Sequence, residues 1–335
     1  MNFNKFLKRT VVVLSIPLFI FSVYRVYEYH KIITNEQTYQ QAIDDLAPTV
    51  NDSRDKNPVK PTPQGNTEDT DNESDKEKVS EGGGYGYRST AGWAYDLVER
   101  NSEAVGWIRI PGFTDWYGNE YINYPVLQHS DNVYYLTHNL DHQYYYSGSI
   151  YVDYEDPITA SSQPDNIVMY GHHMRNLGTA FTHLAEYKSG AWFLKKYPIV
   201  EFNTIYDPGP YEYVIFSCYV AAENETQDED MFDYWHYHNF PNDAVFDYWL
   251  KRTRDTSCYT CDIKCDKDDD YITLSTCSNE VLHMRWVMTA KRLDGDDDKD
   301  KIIDSIKAKD DEDIYFPDVW KKVWGNHPKY LGWNY

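Results

Sequence analysis

The chain has 335 residues, 41% of them hydrophobic, enough for one sizeable domain or two small ones once non-globular ends are set aside. Its formal charge of −22 repels phosphate backbones and anionic lipid head groups, and no basic patch offsets it, so nucleic-acid binding is disfavoured from the outset. The 32 tyrosines suit wet clefts and rigid surfaces. The five cysteines, an odd number, cannot complete a disulfide framework, so at least one thiol is free or paired between molecules.

Lys5, Lys8 and Arg9 precede an apolar run at residues 11–24, VVVLSIPLFIFSVY. The run is shorter than the ~20 residues of a spanning helix. Phe6, Leu7 and the interfacial Tyr24, Tyr27 and Tyr29 extend it. No A-x-A-like small-residue site follows soon after, which favours an uncleaved anchor over a cleaved signal peptide. The positive flank places the N-terminus in the cytoplasm and the remainder outside. Residues 1–30 therefore read as a membrane anchor and 31–90 as an extracellular stalk. From about residue 48 the stalk is rich in Asn, Asp, Ser, Lys, Pro and Glu and ends in Gly82-Gly83-Gly84, a composition that predicts disorder.

Residues 91–293 read as the folded domain. AYDLVERN near Ala91 predicts a short amphipathic helix. GWIRIPG, YINYPVLQ, GSIYVD, NIVMYGHH, YEYVIFSCYVAA, YITLSTC and RWVMTAKRL then alternate with Gly, Pro, Asn and Asp breaks, which predicts a mainly β domain closed into a barrel. One longer helix is predicted at 241–254, with Asn242 or Asp243 as N-cap and Val245, Phe246, Trp249 and Leu250 on one face. Residues 294–335 form an extension: the acidic run DGDDDKDK, a helix-like IIDSIKAK, and a tail with Trp320, Trp324 and Trp333 that is expected to pack on the domain or a partner. The acidic run lacks the spaced ligands and terminal Glu of an EF-hand, so it reads as a solvated turn.

Cys277 closes the strand-like YITLSTC, where a thiol faces the strand exit. Eight residues later Arg285 opens the next strand, so a hairpin brings a permanent guanidinium near the sulfur, where an oxyanion would form. His172 lies at another strand exit, NIVMYGHHM, beside Gly171, which permits a turn. The three residue types describe a nucleophile, an acid/base and an oxyanion stabiliser, and both His172 and Arg285 can depress a thiol pKa. Cys258-Tyr-Thr-Cys261-Asp-Ile-Lys-Cys265 reads as a local disulfide or free thiols in preference to three metal ligands with His236 or His238 as a fourth; Cys218 reads as a buried small side chain.

TLSTC ending in Cys277, Arg285 opening RWVMTAKRL, the upstream NIVMYGHHM and VGWIRIPG…INYPVLQHSDNVYYLTHN together resemble a class B sortase over residues 105–293. The resemblance implies a sortase-like closed β-barrel with helices, including an N-terminal helix and one between the two late strands. It also implies a membrane-anchored, extracellular cysteine transpeptidase of Gram-positive bacteria that needs no cofactor or metal. Such an enzyme cuts a sorting signal after its Thr, forms a thioacyl enzyme through Cys277, and passes the acyl group to an amine. By the family pattern His172 moves the protons and Arg285 holds substrate and oxyanion, while Asn123, Leu127, Tyr170 and Ser275 line the peptide groove. The implied partners are sorting-signal-bearing surface proteins or pilins, with a cell-wall precursor or a pilin Lys as amine acceptor. His173 stands where an Asn is typical, Glu280 matches an acidic position of unclear role, and the acidic, aromatic loop 223–240 suits a basic sorting signal. Plain thiol hydrolysis and a non-catalytic surface-binding module are the competing readings.

Overall fold

The computed structural model describes residues 3–44, 46–48, 88–175 and 177–326, with the side chains of the first helix from Ile16 onward. The predicted disordered stretch and Trp333 lie outside the described residues. The elements, in chain order, are helix α1 (Phe3–Asp44), helix α2 (Tyr95–Arg100), strands β1 (Ala104–Arg109), β2 (Asn123–Leu127), β3 (Ile150–Val152) and β4 (Asn166–Tyr170), and helix α3 (Ala191–Lys196). There follow β5 (Ile199–Thr204), β6 (Tyr211–Ala222), α4 (Asp243–Thr256), β7 (Tyr259–Thr260), β8 (Tyr271–Ser278), β9 (Met284–Arg292), α5 (Lys299–Ser305), β10 (Lys307–Ala308) and α6 (Asp318–Trp324).

Eight strands close a barrel in the order β1-β2-β3-β4-β8-β9-β6-β5, while β7 and β10 make a separate two-stranded sheet. Most neighbours are antiparallel; β2–β3 and β4–β8 are parallel. Side chains alternate between the two faces. Ile167, Met169, Ile272, Leu274, Trp286 and Met288 fill the barrel interior. Val168, Phe216, Tyr219, Tyr271 and Val287 point outward and are covered by Phe240, Phe246 and Trp249. Both faces are therefore buried around β6, β8 and β9, which explains why YVIFSCYV reads as an unbroken apolar run.

The predicted helix between the late strands is α4. Asn242 is its N-cap, its side chain accepting from the Val245 N–H at 3.1 Å. Phe246 and Trp249 are its buried anchors, and Val245 and Leu250 pack at the margin.

One segment differs from expectation. Residues 31–44, predicted to begin the stalk, continue α1 and dock on the domain. Ile43 is fully buried, Glu36 accepts from the Ser147 hydroxyl at 2.8 Å, and the Tyr39 hydroxyl accepts from the Leu140 N–H at 2.9 Å. The spacing of 36, 39 and 43 puts one stripe on the barrel, concealed in the sequence by the polar residues between. Further up α1, Leu18, Phe19, Ile20 and Phe21 are exposed. Among the described residues no helix is long and apolar enough to cross a membrane.

The cysteine cluster takes the free-thiol form of the readings left open. All five cysteines are free thiols. Cys218 and Cys258 are buried in the barrel-side core, joined by a 2.8 Å bond from the Cys258 N–H to the Cys218 carbonyl. Among the described residues the cysteines form no group of convergent metal ligands; His236 faces Asp233 and His238 faces Asp156 instead. Burial pushes the Cys258 thiol up to about 12 and those of Cys261 and Cys265 up to about 11, so all three stay protonated.

The C-terminal extension packs on the domain. Ile306, Ile314, Phe316 and Trp320 join the main core, and the Val319 N–H donates to the Gln227 carbonyl at 2.9 Å. Trp320→Ala should cost about 3–5 kcal/mol of unfolding free energy in denaturant titration; a cost near zero would mean that the extension is a passive appendage.

Candidate active site

The β8–β9 hairpin sets the first half of the site. Cys277 and Arg285 are directly opposed in its antiparallel register, so both side chains leave the same face. The Arg285 Nη1 lies 3.2 Å from the Cys277 Sγ. Its Nη2 meets the Glu223 Oε1 at 2.5 Å, and the other oxygen of Glu223 lies 3.1 Å from the His283 Nδ1. Glu223 directly follows β6, the strand paired to the other edge of β9. Burial opposes the charge on Arg285, yet the surrounding Tyr234, Cys277 and Glu223 more than restore it, and the guanidinium titrates above its ordinary value. One cation thus joins a fixed carboxylate and a nucleophilic sulfur.

The second half comes from the parallel pair β4–β8. Their register ends with Tyr170 opposite Ser275, and His172 and Cys277 each follow by two residues on the two adjacent chains. The Gly171 N–H donates to the Ser275 carbonyl at 3.2 Å, and the Thr276 hydroxyl donates to the Gly171 carbonyl at 2.7 Å, so the chain stays zipped past the strand end. Gly171 is required for closeness rather than for a left-handed turn: a Cβ there would sit 2.8 Å from the Phe181 ring. A carbonyl can only accept, so the His172 Nε2–H donates to the Leu136 carbonyl at 2.9 Å, leaving Nδ1 as the basic nitrogen. Burial lowers the His172 pKa and the Arg285 charge adds to this, against the Leu136 bond, so the imidazole is neutral near pH 7.

His173 is placed differently. It is buried, and its Nδ1–H donates to the Cys277 carbonyl at 2.9 Å, tying the nucleophile's backbone to the chain leaving β4.

A sortase-domain family model matches residues 108–293. The chain belongs to the sortase family. Sortase B of Listeria monocytogenes serovar 1/2a is 33% identical over 188 residues, covering 55% of this chain and 67% of that protein. The Staphylococcus aureus sortase B–substrate complex superimposes with a TM-score of 0.51 at 29% identity, over 62% of this chain and 87% of the other. A sortase B solved with triglycine gives 0.50 at 28% identity, over 61% and 86%. This sortase is of class B, and its eight-stranded barrel, N-terminal helix and α4 match those structures.

The four sequence-derived groove positions of this sortase divide. Tyr170 and Ser275 flank the site: the Tyr170 hydroxyl donates to the Asp153 Oδ2 at 2.7 Å, and the Ser275 hydroxyl bonds the Tyr234 hydroxyl at 2.6 Å. Asn123 lies on β2 with its Oδ1 accepting from the Trp107 indole at 2.7 Å. Leu127 is fully buried among Trp93, Trp107, Tyr135 and Tyr151, so it supports the outer face from below and does not line an open groove. Sequence reasoning singled out the loop 223–240 by composition but gave Glu223 and Tyr234 no individual role, and it missed Leu136. Their partners lie 62, 41 and 36 residues away, and nothing local marks those pairings. Tyr234 is buried against the site, its hydroxyl pushed up to about 12 by burial with Arg285 opposing.

Glu280 acquires a structural role. Both its oxygens lie 2.6 Å from the Lys188 Nζ, which is wholly buried and also within 3.3 Å of the Ser278 hydroxyl. Lys188 holds the Glu280 carboxyl below its usual range against the effect of burial, while burial pulls the ammonium down. The pair pins the turn that follows Cys277.

Two outcomes follow from this geometry. Glu280→Ala should cost about 3–5 kcal/mol, because it strands a buried cation, while Lys188→Met combined with Glu280→Leu should recover most of that loss in thermal unfolding. In an NMR titration the His172 imidazole should change charge below about 6.5, and Arg285→Gln, by removing a nearby cation, should raise that midpoint. A midpoint that does not move would show that the guanidinium does not act on the ring.

Proposed function

We propose that this sortase is a membrane-anchored transpeptidase in which Cys277 is the nucleophile, His172 the proton carrier and Arg285 the oxyanion stabiliser. The observation that carries the reading is the 3.2 Å approach of the Arg285 Nη1 to the Cys277 sulfur, with His172 following by two residues the end of the strand paired to β8. The His172 Nδ1 takes the thiol proton. The thiolate attacks the Thr carbonyl of the sorting signal, the carbonyl π pair moves to oxygen, and Arg285 stabilises the oxyanion that forms. Collapse breaks the C–N bond, and the imidazolium gives its proton to the leaving amine. The incoming amine then attacks the thioester, returns a proton to His172 and expels the Cys277 thiolate.

The half-buried Tyr170 and Asn123 are the positions offered to the peptide, and the buried Ser275–Tyr234 hydroxyl pair backs the site from beneath. The S. aureus relative was solved as a substrate complex and another sortase B with triglycine, which supports a peptide donor and an amine acceptor. The apolar run at 11–24, the basic residues before it and the exposed Leu18–Phe21 side chains of α1 support a single-pass anchor with the catalytic domain outside the cell. Anchoring of surface proteins to the wall and polymerisation of pilins share this chemistry and differ in the amine.

The test is cleavage of a fluorogenic NPQTN-like peptide panel by the full chain in detergent, with and without a primary amine. Cys277→Ala should abolish cleavage, and Arg285→Gln should lower kcat by about 10²–10³. An amine-linked product establishes transfer. Cleavage at one rate with only hydrolysed product would make the enzyme a thiol hydrolase, and full activity of Cys277→Ala would end the catalytic reading.

A further inference from the structure

What fixes the Arg285 guanidinium is the Glu223 carboxylate, whose Oε1 lies 2.5 Å from Nη2. The sheet does not place Glu223 itself. The β6–β9 ladder ends with Ala222 opposite Met284, and residues 223–233 belong to no helix or strand. A carboxylate at the head of an irregular segment is only as fixed as the bonds that hold its backbone. The Glu223 N–H is directed at two acceptors, the His283 carbonyl at 3.2 Å and the Gln227 Oε1 at 3.1 Å.

Gln227 is buried and uses every polar group it has. Besides accepting from Glu223, its side chain donates through Nε2 to the Leu282 carbonyl at 2.9 Å, in the β8–β9 turn. A carboxylate could not donate to Leu282, nor an ammonium accept from Glu223. Its own N–H donates to the Asn224 carbonyl at 3.1 Å, and its carbonyl accepts from the Val319 N–H of α6 at 2.9 Å. The next residue, the buried Asp228, accepts from the Tyr315 hydroxyl at 2.6 Å. Val319 and Tyr315 lie beyond the sortase domain, in the extension that the fully buried Trp320 fastens to the core.

We propose that Gln227 is a positioning residue for Arg285, and that the C-terminal extension acts on catalysis through it. The extension holds Gln227, Gln227 holds Glu223, and Glu223 holds the guanidinium against the Cys277 sulfur. The role rests on the transpeptidase reading above. Arg285 meets a charge that develops only in the transition state, so a loosened guanidinium lowers kcat and leaves KM nearly unchanged. A defect in folding alone lowers the amount of active enzyme whatever residue stands at 285.

The experiment is a double-mutant cycle on the full chain in detergent, read as cleavage of the NPQTN-like peptide. Gln227→Leu keeps the side-chain volume and removes both side-chain bonds. Tyr315→Phe removes one hydroxyl and leaves the ring under the Arg252 guanidinium, 5.1 Å away, so it carries the test should Gln227→Leu fail to fold. Gln227→Leu should lower kcat about tenfold with KM within about twofold, and Tyr315→Phe should lower kcat about threefold. In the Arg285→Gln background neither change should alter kcat by more than about twofold, because the group they position is gone. Equal losses in both backgrounds would overturn the positioning role, as would an unchanged kcat in Gln227→Leu. An unchanged kcat in Tyr315→Phe alone would overturn the part given to the extension. Absence of any Cys277-dependent cleavage in the unsubstituted chain is a different result: it would remove the transpeptidase reading itself.

Discussion

The contact on which the rest of this molecule depends is that between the Arg285 guanidinium and the Cys277 sulfur. It is fixed by strand register rather than by a flexible loop. Cys277 and Arg285 are one pair in a ladder that runs unbroken from Tyr271 opposite Lys291 to Ser278 opposite Met284. A slip of one residue would send one of the two side chains to the opposite face, so the ladder and the site stand or fall together. Arg285 is only partly exposed, and a cation there needs compensation. Glu223 supplies it permanently through Nη2. That leaves Nη1 for the sulfur and, on the mechanism proposed above, for an oxyanion without reorganisation of the pair.

The imidazole side obeys a different constraint. β4 and β8 are parallel, so no hairpin can join them, and about a hundred residues of barrel, helix and loop intervene. Their pairing is extended past the strand ends by backbone and Thr276 bonds, and Gly171 permits this because Phe181 fills the space a side chain would occupy. The Leu136 carbonyl then chooses the tautomer of His172. Three elements remote in sequence therefore set which nitrogen of His172 stays basic.

This difference explains what could be read from the chain. The Cys277–Arg285 relation was legible because a hairpin is local: a strand exit, a short break and a strand entry place both residues by spacing alone. The helix α4 was legible through its cap and its apolar face. His172 was legible only as one motif among others, since nothing in the sequence states which strand lies beside β8. Glu223 and Tyr234 were legible only as members of an acidic, aromatic loop, as each acts through a partner far along the chain. The docking stripe of α1 was hidden for another reason: Glu36, Tyr39 and Ile43 sit in a polar composition that suits a solvated linker, and only the partners Ser147 and Leu140 reveal the buried face. Leu127 shows the reverse error, where a matching motif position is covered by its own domain.

The C-terminal extension belongs to the same network as the site. The Val319 N–H is bonded to the Gln227 carbonyl, and the Tyr315 hydroxyl to Asp228 at 2.6 Å, so the extension holds the segment that follows β6. The Gln227 side chain accepts from the Glu223 N–H at 3.1 Å and donates to the Leu282 carbonyl at 2.9 Å, spanning the start of that segment and the β8–β9 turn. Glu223 in turn holds Arg285. A buried Trp320 thus lies at one end of a short chain of bonds whose other end is the guanidinium beside the nucleophile. Together with Lys188 and Glu280 on the opposite side of the turn, this braces both strands of the hairpin from outside the barrel. Cys277 and Arg285 share one hairpin, so bracing its turn holds the spacing that the ladder sets between them.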